Sequence, residues 1–283
     1  MRQGQTAADA WGPDFKMSTS LDTRGRALKT LVINLRRRPD RRTYMQEQLD
    51  RLGVAFDWVE AVDAKEGDFA ARLSEAGLAR NGPWGPMSHP TLACTLSHIK
   101  ALRVVASGSS PFGLILEDDA KLSTQFARFS SADDWVPAGA DVVRLEHWDD
   151  PKQIIALDKA RHSIGHIDLQ RLRSRTAGCA GYVVSRSFAQ HLLARPEQIN
   201  MPIDHVLFNF GASQLARSCV TYQMIPSVVV QDPAWGSDLA ASLGSKQKLL
   251  QIKRGLYELR QGLSALIRVG LGSAEMRKNR FDT

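Results

Sequence analysis

The stretch Phe112-Gly113-Leu114-Ile115-Leu116-Glu117-Asp118-Asp119 constrains this chain most, because an apolar run ends abruptly in three adjacent carboxylates. The run reads as a buried strand. Two like charges about 4 Å apart repel by roughly 4 kcal/mol at an effective dielectric near 20, so the trio needs solvent or a cation. Ligands of α/β folds gather beyond the carboxyl ends of strands, which favours the cation. Side chains alternate along a strand, so Glu117 and Asp119 are expected on one side and Asp118 on the other. Such a pair suits a hard divalent ion, Mn2+ or Mg2+, held jointly with substrate phosphates. A solvated acidic turn is the alternative that this stretch alone leaves open.

The rest of the chain supplies a frame for that strand. Thr30–Leu35 is a short apolar strand, followed by a helix with Pro39 near its start, Met45, Leu49 and Leu52 at helical spacing, and Gly53 at its end. Phe56–Ala61 is a second strand, so the three elements form a βαβ unit with parallel strands. A Gly/Pro-rich loop covers Arg80–Ser88, and Pro90 opens a helix with a stripe of Leu92, Leu96, Ile99 and Leu102/Val105 that also carries Cys94, Ser97 and His98. Asp141–Glu146 again ends a strand in a carboxylate. Residues 150–176 are mixed and basic and are read as a small hairpin or a mobile loop. Gly178–Val184 is a strand, Ser185 caps the helix Phe188–Ala194, Pro202–Phe208 is a short helix, and Val220–Ile225 and Val228–Gln231 are the last strands.

These elements predict an α/β fold with a mixed, mainly parallel sheet flanked by helices over residues 29–240. A polar leader (1–28) precedes it and a basic tail (241–283) follows. The tail holds most of the net charge of +7: from Gly244 to Thr283 there are nine Lys and Arg against three acids, 9 − 3 = +6. Leu249, Ile252, Leu256, Leu259, Leu263 and Leu266 form one stripe, so 246–270 reads as a basic amphipathic helix. It is suited to peripheral contact with an anionic membrane or to packing on the domain. With the charge in the tail, the body is near neutral, which argues against a nucleic-acid partner. Cys94, Cys179 and Cys219 lie far apart without a C-x-x-C pair. That argues against zinc and disulfide frameworks and for a reducing compartment. No secretory signal or membrane span is legible, so a cytoplasmic protein is expected, peripheral at most on the inner face of the cytoplasmic membrane.

Phosphate-loop, dinucleotide, G-x-S-x-G and H-E-x-x-H signatures are absent. What remains is a set of strand-end polar groups with an acidic pair fit for a metal that bridges phosphates. Here several blocks carry a resemblance. Val32-Ile33-Asn34-Leu35-Arg36-Arg37-Arg38-Pro39-Asp40-Arg41, Val59-Glu60-Ala61-Val62-Asp63, Cys94-Thr95-Leu96-Ser97-His98, Leu116-Glu117-Asp118-Asp119, Gly181–Arg186 and Pro202-Ile203-Asp204-His205 stand in the order of glycosyltransferase family 25, which the chain resembles over roughly 29–240. The resemblance implies a GT-A-like fold and metal-dependent, inverting transfer of a hexose, galactose foremost, from a UDP-sugar. The acceptor it implies is a hydroxyl of a cell-envelope glycan such as lipopolysaccharide, free or lipid-linked. One position departs from the family pattern: Thr91 stands where a glutamate is usual.

On that reading Asp119 and Glu117 are metal ligands, with His205 a further one and Asp118 in support. Asn34, Arg37, Arg41, Asp63, Ser97, His98, Glu117 and Asp118 serve the donor, Arg being suited to bidentate phosphate contact. Gln231 and Ser237 border the donor late in the chain. An inverting transfer needs a base on the face opposite the leaving diphosphate, for which Asp204 is the first candidate and Glu146 the second. Two competing readings are a non-catalytic relative that binds a glycan or protein partner, and a metal phosphohydrolase.

Overall fold

The computed structural model describes residues 28–78, 81–83, 85–148, 153–236 and 267–283. The leader, Ser237 and all but the end of the 246–270 stripe lie outside the described residues.

In chain order the elements are β1 (Lys29–Asn34), α1 (Pro39–Leu52), β2 (Asp57–Glu60), α2 (Phe69–Glu75), β3 (Asn81–Gly82), β4 (Gly85–Pro86), α3 (His89–Ser107), β5 (Phe112–Glu117), β6 (Ala120–Leu122), α4 (Phe126–Ser130), β7 (Val142–Arg144) and β8 (Glu146–His147). There follow β9 (Ile155–Ile164), β10 (Ile167–Leu172), β11 (Gly181–Ser185), α5 (Arg186–Leu193), α6 (Ile203–Phe208), α7 (Gln214–Ser218), β12 (Thr221–Ile225), β13 (Val229–Gln231) and β14 (Ala274–Arg277). A nine-stranded sheet runs β14-β9-β10-β12-β7-β11-β5-β1-β2, and a three-stranded one runs β6-β13-β8.

The large sheet is mixed. The pairs β1–β2, β1–β5 and β7–β12 are parallel, while β11 runs antiparallel between β5 and β7. Followed across the sheet, β2, β1, β5, β7, β12 and β9 point one way and β11, β10 and β14 the other. The parallel bias expected from the βαβ unit is therefore a bias of direction.

Side-chain alternation divides the sheet's two faces into separate cores. Leu31, Ile33, Ile115, Val142, Tyr182 and Val184 pack with Leu92, Leu96, Ile99 and Leu102 of α3 and with Phe188 of α5. Val32, Leu114, Leu116, Val143 and Val183 pack with Met45 and Leu49 of α1 and with Phe126 and Phe129 of α4. Caps fix the helix starts: Ser88 accepts from the Thr91 N–H and Ser185 from the Phe188 N–H. Gly113 lets α3 approach β5 closely, since a Cβ there would stand 2.4 Å from Val105 Cγ2.

Residues 155–172 form the β9–β10 hairpin, the first of the two alternatives read for 150–176, with longer strands than a small hairpin. One segment differs from the sequence expectation. The last residues, set apart by sequence as part of the tail, join the domain: β14 pairs with β9, and Ser227 N–H donates to the Arg280 carbonyl.

Candidate active site

The carboxylates lie where the chain leaves the large sheet for the small one. β5 ends at Glu117, a turn carries Asp118 and Asp119, and β6 follows at once. The same exit occurs from β7 to β8 and places Glu146 there. Alternation holds through Asp118. Glu117 faces α3, where its Oε1 is 2.9 Å from His98 Nε2. Asp118 faces α1, accepting from Asn34 Nδ2 at 2.6 Å and pairing with Arg41 Nη1 at 3.3 Å. The turn then overrides the expected return of Asp119 to the Glu117 side. Asp119 Oδ2 joins Asp118 at Arg41 Nη1, 3.1 Å away, and accepts from Gln231 Nε2 at 3.1 Å.

All three carboxylates still line one cleft of about 360 Å3, with Arg37, Arg41, Asp63, Ser97, His98, Cys94 and Gln231. Arg37 pairs with Asp63 at 2.6 Å at its lip, and Asp63 also accepts from the Lys65 N–H, as a turn-forming Asp does. Ser97 Oγ accepts from the Val62 N–H and donates to the Ala93 carbonyl, pinning the end of β2 to α3. Arg41 spends its other Nη on the carbonyls of Trp235 and Gly236, so it acts as a strut under the acidic turn.

The electrostatics are unbalanced in a telling way. Burial, then the neighbouring Glu117 charge, pushes Asp119 up to about 7 against the pull of Arg41. Burial also raises Asp118. Asp119 Oδ1 is buried and has no hydrogen-bond partner. A buried acceptor in that state costs roughly 1–3 kcal/mol, more for a charged group. A cation between Asp119 and Glu117 would supply the missing partner, and an all-oxygen pair suits Mn2+ or Mg2+.

A second cavity of about 140 Å3 adjoins the cleft and shares Cys94, Glu117 and Gln231 with it. Asp204 and Glu146 line it, with Thr91, Trp148, Gly178, Cys179, Pro202 and Ile203. Asp204 is one-fifth exposed, and its Oδ2 accepts from the Gly178 N–H at 3.3 Å. Glu146 is fully buried, paired to Arg144 at 3.2 Å and accepting from the Ala180 N–H. Burial pushes its carboxyl up to about 8 despite Arg144. Gly178, at φ 81, leaves room for that carboxylate: a Cβ would stand 2.3 Å from Glu146 Oε1.

The structure thus brings together Asn34, Arg37, Arg41, Asp63, Ser97, His98, Glu117, Asp118 and Asp119 around the cleft, with Asp204 and Glu146 in the adjoining cavity. His205 stands apart from the acidic pair. It lines neither cavity, and its Nδ1 is 3.3 Å from Asn209 Nδ2. Sequence reasoning gave Cys94 and Cys179 no role, yet both line the cavities. The i, i+4 spacing of Cys94 and His98 on one helix face was the available signal.

The profile of "Glycosyltransferase family 25 (LPS biosynthesis protein)" matches residues 27–207. The chain is 25% identical over 211 residues to the lipooligosaccharide biosynthesis protein lic2B of Haemophilus influenzae, covering 71% of this chain and 75% of that one. It is 23% identical over 253 residues to the lacto-N-neotetraose biosynthesis glycosyltransferase LgtE of Neisseria meningitidis serogroup B, covering 82% and 88%. Among solved structures, a glycosyltransferase involved in glycosylation of the major capsid of PBCV-1 aligns over 84% of this chain at 7% identity, with a TM-score of 0.39. The profile match takes in more than half of the chain, from the first strand to the helix that supplies Asp204, and so the chain belongs to glycosyltransferase family 25.

Proposed function

We propose that this protein transfers a hexose, galactose foremost, from a UDP-sugar to a hydroxyl of a lipopolysaccharide-type glycan, with inversion and with the help of Mn2+ or Mg2+. One observation carries the reading: the carboxylate-lined cleft adjoins a second cavity that holds a partly exposed carboxylate, Asp204, and the two share Glu117 as a wall. The names of the relatives support the acceptor class.

The larger cleft takes the nucleotide. Asp63 and Arg37 at its lip suit ribose, base or phosphate, and Asn34 and Arg41 hold the acidic turn in place. Asp119 and Glu117 are the residues that would hold the ion. When bound, it supplies charge neutralisation for the departing diphosphate. Asp204 accepts the acceptor's hydroxyl proton from the side of the smaller cavity, so attack comes from the face opposite the diphosphate. Glu146, buried against Arg144, holds the backbone of residues 178–180 that shapes this cavity. The basic stripe 246–270 brings the protein to an anionic membrane surface that presents a lipid-linked acceptor. No helix among the described residues is long and apolar enough to cross a membrane.

Thr91 favours one second reading, a glycan binder without turnover. It lines the smaller cavity with a hydroxyl, 2.8 Å from Ser88 Oγ, where the family usually has a carboxylate. Asp204→Asn separates the two. A transferase loses about 10²- to 10⁴-fold in kcat while keeping UDP-sugar affinity. A binder shows no turnover before or after the change.

A further inference from the structure

We propose that Cys94, His98, Glu117 and Cys179 form a binding site for a borderline-soft divalent cation, Zn2+, in the wall between the two cavities. It shares Glu117 with the all-oxygen pair and leaves Asp119 out. Three elements contribute. Cys94 and His98 stand one turn apart on α3, Glu117 ends β5, and Cys179 lies just before β11.

The ligand atoms of Cys94, His98 and Glu117 lie within 4.8 Å of one another. Cys179 Sγ is 3.4 Å from His98 Nε2 and 3.3 Å from Glu117 Oε1, and those two atoms are 2.9 Å apart. Tetrahedral Zn2+ with bonds of about 2.0–2.3 Å sets its ligand atoms roughly 3.3–3.8 Å apart, so small shifts make room for the ion. Two thiols, an imidazole and a carboxylate favour zinc over the hard Mn2+ and Mg2+.

The surroundings fit as well. His98 Nδ1 is 3.0 Å from Tyr182 Oη, the second partner that fixes the orientation of a metal-bound imidazole. Tyr182 is fully buried and its ring stacks on that of His98. Cys94 is partly exposed and lines both cavities, which gives the ion a way in. All three cysteines of the chain are free thiols.

Binding balances simply. Each thiol gives one proton to solvent, and the imidazole proton moves to Nδ1, where it donates to Tyr182. Because both thiols release protons on binding, affinity rises with pH. Of the three cysteines that lie far apart along the sequence, the fold brings Cys94 and Cys179 to the wall of one cavity. Bound there, the ion ties α3 to the end of β5 and to the strand β11.

The test uses the full chain, purified without added metal, with Co2+ as a spectroscopic probe and Zn2+ as competitor. The expected result is one Co2+ per chain with intense tetrahedral d–d bands and thiolate-to-cobalt charge transfer, displaced by equimolar Zn2+. Cys94→Ser and Cys179→Ser should each lower the charge-transfer intensity and weaken Zn2+ binding at least about tenfold, and the double variant should abolish the charge transfer. Asp119→Asn should leave the cobalt spectrum unchanged. Wild-type protein that gives no thiolate charge transfer overturns the proposal whatever the variants' folding. Charge transfer that keeps its full intensity in either serine variant, that survives in the double variant, or that is lost with Asp119→Asn, overturns it as well.

Discussion

Arg41 shows how single residues set the terms of this site. It is 4% exposed, faces Asp118 and Asp119 together, and reaches across to the carbonyls of Trp235 and Gly236. Arg41→Ala should cost about 3–5 kcal/mol in urea unfolding, because it leaves two buried carboxylates without their cation. Arg41→Lys should not restore the wild type, since one ammonium cannot serve both the carboxylates and the carbonyls. Glu146 gives a pH signature. Its folded-state value of about 8 lies above its ordinary 4.5, so the folded protein binds the extra proton between those values. Stability from this group is therefore full below about 4.5 and lost as the pH rises toward about 8. Glu146→Gln should flatten the fall in thermal midpoint between pH 5 and 8, and an unchanged profile would show that Glu146 is ionised in the fold. The carboxylates were legible from sequence because a strand end exposes its own chemistry. The struts were less so: Gln231 and Arg41 acquire their partners only when residues far apart in the chain meet.

At the scale of elements, the meeting of α3 and β5 decides the geometry, since it sets His98 against Glu117. Gly113 allows that meeting, and Gly113→Ala should cost roughly 1–3 kcal/mol by overpacking against Val105. It should also raise KM for the donor, because α3 carries Ser97 and His98 outward with it. A variant as stable as the wild type would mean that the helix has slack. The β1–α1–β2 unit, α3 with its Ser88 cap and α5 with its Ser185 cap were readable because period and caps are local signals. The β9–β10 hairpin was legible only as one of two alternatives, because the outer half of β9 is exposed and charged and its alternation is lost. β14 was not legible at all, because Ala274–Arg277 has no apolar run and becomes a strand only by pairing with β9.

For the whole molecule, the charge is uneven: the part that holds the cleft is near neutral, and 246–270 carries a basic stripe, proposed above to meet an anionic surface. The chain should sediment with phosphatidylglycerol vesicles at low salt and be released at high salt, and stay in solution with phosphatidylcholine alone. Equal binding to both would remove the electrostatic account. The sequence pattern reached the domain's architecture and the strand-end carboxylates, and it could not foresee the smaller cavity, which Thr91 of α3 lines together with Trp148 and Gly178 from distant parts of the chain. The central claim is that Asp119 and Glu117 hold an ion for a UDP-sugar beside an acceptor cavity. It is tested most directly by UDP release from a panel of UDP-hexoses on a lipooligosaccharide acceptor, with and without Mn2+, for wild type and Asp119→Asn. The account predicts Mn2+-dependent release from one UDP-hexose, reduced about 10²- to 10³-fold or more by Asp119→Asn. Release that needs no metal and survives Asp119→Asn, or no release from any UDP-hexose, would contradict it.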